Sequence, residues 1–214
     1  MPETDTNTAL PGYLNTTTGA ITDGEAWVSL CSAKITTDAG LTDVTFESST
    51  GKNDWSQYQD LVLLGHTRAT STSGNTNQLH YNFNDSESGY MFQLLDKSQT
   101  GTSSVNCRGY AEYGGSRAEV SVQLANSNTG FNPTYTFSPI LSWFPAINSG
   151  TQKLIWTQTG TAGAVTPTGG ESIVNVQWNS VEAIKKLKIW TSGTNLADHS
   201  RFELYGILPR LVAP

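Results

Sequence analysis

The chain has 214 residues, of which 36% are hydrophobic and 10% aromatic, enough to bury a core without disulfides or metals. Charged residues are only 14%, against about 25% in an average soluble domain, and the polar remainder is mostly Thr, Ser, Asn, Gln and Gly, which suit turns and strand faces. With a net charge of −6 and no Lys/Arg run longer than Lys185-Lys186, the chain lacks the cation cluster that direct nucleic-acid binding needs.

Met1-Pro2-Glu3-Thr4-Asp5 has neither the basic nor the apolar region of a secretion signal. No apolar stretch approaches the ~20 residues of a membrane helix. The expectation is a soluble chain made in the cytosol. Cys31 and Cys107 are the two cysteines; in an unsecreted chain such widely separated thiols are more often buried and free than bridged.

In chain order, residues 1 to about 40 carry few periodic apolar positions, with Pro11-Gly12 and Asp23-Gly24 as turn signals. They are expected to form an extended N-terminal arm or a frayed segment, strand-like only around Trp27, before a single β-sandwich domain over 41–214. Short strands separated by polar turns follow. Val44 and Phe46 alternate with polar residues, and Leu61-Val62-Leu63-Leu64 reads as a central strand buried on both faces. Leu79, Tyr81 and Phe83, the loop Asn84 to Gly89, and then Tyr90, Phe92 and Leu94 read as a hairpin.

Val120, Val122 and Leu124 alternate, Tyr135 and Phe137 follow, and Ile140 to Phe144 lies between two prolines. Leu154-Ile155-Trp156 leads into a Gly/Thr loop over 158–170, after which Val174, Val176 and Trp178 share a face. Ser180 to Trp190 fits a turn and then a strand from about Lys186, and Arg201 to Leu208 alternates again. Nine or ten strands suit two packed sheets, an all-β, antiparallel, jelly-roll-like sandwich.

Catalytic signals are weak. His66, His80 and His199 have no second His or Cys at metal-ligand spacing. Asp198-His199-Ser200 has triad residue types in the wrong geometry, because adjacent side chains on an extended strand face opposite ways. Asp85, Glu87 and Asp96 would hydrolyse a glycoside only if two of them faced each other across a groove. The loop Asn82 to Glu87 lacks the full oxygen ladder of a calcium site. No catalytic residue, cofactor site or metal site is assigned. Among six tryptophans, most are expected in the core. Trp27, Trp143 and Trp190 are the candidates for an interface or for stacking on sugar rings, Trp190 because it shares a face with Lys186 and Lys188.

The order of motifs resembles a family of small virion proteins of tailed bacteriophages. Tyr58 to Arg68 contains a strand of the form "dLvL.g..R", Leu79 to Tyr90 follows the form "l.fN.D....Y", and Ser200 to Ile207 closes on "S.f.LYGI". The resemblance covers about residues 55–95 and 174–208. This chain departs from it where a Gly is usual after the hairpin Asn, since Asn84 is followed by Asp85. The resemblance implies an antiparallel sandwich without catalytic residues, often trimeric, that decorates or cements a capsid or belongs to a tail. Its partners would be the major capsid protein or tail proteins and further copies of itself, in a virion assembled in the host cytoplasm. Arg68 is expected to pair with Asp85, and Gly206 to permit close backbone approach. The alternative is a glycan- or receptor-binding module of a tail tip or capsid surface, using exposed Trp and Tyr.

Overall fold

Period-two alternation becomes strand at most of the positions where the sequence shows it. The computed structural model describes residues 27–37, 40–70, 78–99, 105–121, 125–126, 137–161 and 170–209. Their strands are β1 (Trp27–Lys34), β2 (Asp43–Glu47), β3 (Asp60–Ala69), β4 (Leu79–Phe83), β5 (Tyr90–Gln99), β6 (Val105–Gly115) and β7 (Ala118–Ser121). Then follow β8 (Ala125–Asn126), β9 (Ser138–Phe144), β10 (Lys153–Thr161), β11 (Gly170–Trp178), β12 (Lys186–Thr191) and β13 (Arg201–Ile207). Val122 and Leu124 of the expected sixth run, Tyr135 and most of the 158–170 loop lie outside the described residues.

Two sheets result. The larger runs β1-β13-β3-β9-β10-β11-β5-β6, with β8 pairing β3 off this path, and the smaller runs β2-β12-β4-β7. Apart from the short parallel β3–β8 pair, the pairings are antiparallel. Removing β5, β6, β8, β10 and β11 leaves β1-β13-β3-β9 facing β2-β12-β4-β7. With those eight strands counted in chain order, this is the first–eighth–third–sixth and second–seventh–fourth–fifth arrangement of a jelly roll. The fold is an all-β jelly-roll sandwich whose larger sheet is widened by β5, β6, β10 and β11.

Inward residues from both sheets make one core. Phe83, Tyr90, Trp178, Phe144 and Tyr81 form a chain of ring contacts across it, with centroids 5.5–6.5 Å apart. One polar bridge spans the same space: Tyr81 Oη lies 2.8 Å from Ser142 Oγ, which accepts from Thr157 Oγ1 at 2.9 Å. All three residues are fully buried. Burial pushes the Tyr81 phenol above its ordinary pKa, so this bridge stays neutral.

Several expectations are corrected. Part of the expected arm over 1–40 belongs to the sandwich: β1 pairs with β13, and Leu30, Ala33 and Ile35 are fully buried. Residues 1–26 lie outside the described residues. β4 and β5 are not a hairpin, because β4 pairs with β12 and β7 while β5 pairs with β11 and β6.

The loop between β4 and β5 is a corner from one sheet to the other. Asn84 and Asp85 have φ of 50° and 58°, and Ser86 N–H donates to the Phe83 carbonyl at 2.8 Å, a tight turn with both central residues left-handed. The Asn84 carboxamide then ties the corner to β12. Its Oδ1 accepts from the backbone N–H groups of Lys185 and Lys186 at 2.8 and 3.1 Å, and its Nδ2 donates to the Ala183 carbonyl at 2.8 Å. Asp85 pairs with Lys186 at 2.8 Å rather than with Arg68, whose guanidinium lies 5.3 Å from the Phe137 ring centroid. The Leu61–Leu64 run is buried on both faces only as far as Leu63; Leu64 is exposed on the outer side.

The two motif segments at residues 58–68 and 200–207 pair with each other, β3 against β13, with Gly206 opposite Leu61 and Phe202 opposite Gly65. A Cβ on Gly206 would lie 2.5 Å from the buried ring of Tyr58, and one on Gly65 would lie 2.8 Å from the Arg201 carbonyl oxygen. These glycines are packing positions. Gly206→Ala is expected to destabilise the fold by roughly 1–3 kcal/mol, the usual cost of overpacking, as measured by urea unfolding. An unchanged midpoint would contradict the packing.

Candidate functional site

The polar groups that suggested chemistry are separated by the fold. His199 has φ of 67° and its Nδ1 lies 2.6 Å from Asp198 Oδ2, but the Ser200 side chain is fully buried, with Oγ bonded to Thr67 Oγ1 and to the Arg68 N–H at 3.2 Å each. No triad is assembled there. Asp85 and Glu87 sit exposed on the β4–β5 corner, and the side chain of Asp96 lies outside the described residues. Among the described residues no group of three or more His, Cys, Asp or Glu side chains is placed to hold a metal. The Cys31 thiol is free, and burial pushes its pKa up to about 12, which leaves it unreactive as a nucleophile.

The candidate tryptophans divide between the sheets. Trp190, on the smaller sheet, is half-buried: its indole N–H donates to Asn82 Oδ1 at 2.5 Å, its ring lies 4.7 Å from that of His80, and the Arg117 guanidinium lies 5.6 Å from its centroid. Trp27, on edge strand β1, is exposed beside Tyr205 of β13, with centroids 6.2 Å apart. Trp143, on β9, is 47% exposed. Its indole N–H donates to Asp60 Oδ2 at 3.1 Å, and Asp60 Oδ1 accepts the Ala146 N–H at 2.8 Å. The ring is therefore exposed and anchored at once.

Strand register extends Trp143 into a surface on the outer face of the larger sheet. One row crosses six strands: Tyr205, Val62, Trp143, Trp156, Asn175 and Gln93. Neighbouring strands are about 4.8 Å apart, so Trp143 and Trp156 are side by side. A parallel row two residues along holds Leu64, Leu141, Gln158, Ile173 and Leu95. Leu154, 56% exposed, flanks the first row on β10 opposite Gln177. Leu64, Leu95 and Ile173 are exposed as well. An open groove of about 310 Å³ lies at one end, where Leu141 and Gln158 meet Pro139, Gly160 and Glu171.

Sequence reasoning found Trp143 but missed Trp156, Leu154, Ile173 and Leu95. Leu154-Ile155-Trp156 and Ile173-Val174 are apolar on both strand faces, so alternation cannot mark the outward member. Dispersed apolar residues on a surface are ordinary, whereas here they gather on one face of one sheet. Comparison with known proteins adds no relative: no family model, no curated protein and no solved structure matches the chain.

Under Trp190, His80 is fully buried with neither ring nitrogen hydrogen-bonded. Burial, helped by the Arg117 charge, lowers its pKa from 6.5 to about 3. The unfolded chain takes up a proton below pH 6.5 that the folded chain refuses, so stability falls as pH drops from about 6.5 towards 3. At about 1.4 kcal/mol per pKa unit this is an order-of-magnitude loss of several kcal/mol. His80→Leu is expected to flatten that part of the stability profile measured by urea unfolding at stepped pH; a parallel profile would contradict the assignment.

Proposed function

We propose that the protein is a non-enzymatic structural component of a virion, decorating or cementing a capsid or forming part of a tail, and that it works through protein–protein contact. The observation that carries this reading is the outer face of the larger sheet, where exposed Leu and Ile side chains surround an anchored Trp143. Aliphatic side chains gain from exclusion of water by a complementary protein surface. Aromatic residues such as Trp143 are the usual anchors of such contacts. The virion setting rests on the motif resemblance, of whose segments those at residues 58–68 and 200–207 pair in the structure as β3 and β13.

A second reading, a glycan- or receptor-binding module, is favoured by one specific feature. Trp143 and Trp156 are direct neighbours in the register row that also holds Tyr205, and aromatic side chains of this type are those on which sugar rings stack. Binding on a glycan array that is lost in Trp143→Ala would select this reading over the first.

The test of the first reading is immunogold labelling of intact particles with antibody to this chain. Gold over the head is the expected result for a decorating protein, and gold on the tail for a tail component. No label on intact or disrupted particles would overturn the virion reading.

A further inference from the structure

The two sheets present opposite chemistries outward. On the smaller sheet, strands β2 and β12 expose charge: Lys188 lies 3.5 Å from Asp43, and Lys186 lies 2.8 Å from Asp85. On the larger sheet, the row through Trp143 and Trp156 and the row through Leu141 and Ile173 carry no formal charge from β3 to β5. Glu203, at the β13 margin, is bound to Arg201 at 2.6 Å. This neutral field belongs to a chain of net charge −6.

We propose that the outer face of the larger sheet is the contact with a second copy of this chain, sheet against sheet about a two-fold axis. The inference rests on the reading of the protein as a contact-forming structural component and names its partner. In a two-fold contact the residues near the axis meet their own counterparts, so a charge placed there would face its like. Two chains of net charge −6 approach most cheaply through the region where neither presents charge. The polar residues of the field satisfy the same condition. Gln158, Asn175, Gln93 and Gln177 are amides, donor and acceptor together, so each pairs with another amide without needing a complementary group. Within these two rows a strongly basic or acidic partner would find no opposite charge to select it; Glu171 stands exposed beyond them, beside the groove. Face-to-face packing at about 10 Å between sheets would close Leu154, Ile173 and Leu95 from water.

The test is light scattering coupled to size exclusion, with sedimentation equilibrium, on the full chain across the micromolar range. Wild type is expected to be dimeric. Leu154→Glu and, independently, Ile173→Glu are expected to be monomeric with unchanged circular dichroism. Val181→Glu, at a residue 62% exposed outside the two rows, is expected to remain dimeric. Monomeric wild type, or a dimer that survives both substitutions in the rows, would overturn the proposal. Particle labelling separates the two readings: labelled virions with a monomeric chain would sink the self-contact alone, and unlabelled virions with a dimeric chain would sink the virion reading alone.

Discussion

The ring of Tyr58 rests on the bare backbone of Gly206, where a Cβ would stand 2.5 Å from it. Tyr58 is held in turn by its hydroxyl, which donates to the Lys52 carbonyl at 2.8 Å. This contact, with Phe202 packed over Gly65 four residues away on β13, fits only one register of β13 against β3. Strand side chains alternate faces, so a slip of one residue would turn every outward side chain inward. The core and the outer face are therefore decided together. Leu61, Leu63, Phe202 and Leu204 enter the core, and Leu64 and Tyr205 join Trp143 outside, with Val62 buried beneath that face.

From that register the chain builds outward. The corner after β4 carries the chain from the smaller sheet to the larger, and Tyr90 secures it: its hydroxyl accepts the Phe83 N–H at 2.9 Å and donates to the Ser86 carbonyl at 3.2 Å. β5 and β6, and later β10 and β11, add to the β9 side of the larger sheet. Among the described residues the smaller sheet gains no matching strands. The inner face of the extension is still buried, through Ile155, Val174, Val176 and Phe92. Its outer face carries the uncharged rows through Trp156 and Asn175 and through Gln158 and Ile173. Widening a jelly roll on one side is thus the structural event from which the proposed function follows.

Much of this was legible in the sequence. Alternation marked the β4, β11 and β13 positions and the strand beginning at Lys186, an unbroken apolar run marked β3, and the close approach at Gly206 came with the motif resemblance. Strand partners were not legible. Leu79–Phe83 and Tyr90–Leu94 look like two arms of a hairpin because the short polar link between them is local. Their partners, β12 and β11, are chosen by packing some hundred residues away. The outer face was half legible. Trp143 stood out by its type, but Leu154 and Ile173 were silent because apolar neighbours on the same strand hide the alternation. Trp190 drew attention for the lysines beside it, and the structure uses it to cover His80.

The central claim is that the outer face around Trp143 is a contact surface, covered when the protein is at work. Hydroxyl-radical footprinting of Trp143, read by mass spectrometry in the dilute purified chain and in assembled particles, tests it most directly. The account predicts strong oxidation of Trp143 in the chain diluted to where it is monomeric and protection in the particle, with Val181 labelled alike in both. Equal oxidation of Trp143 in the two states would contradict it.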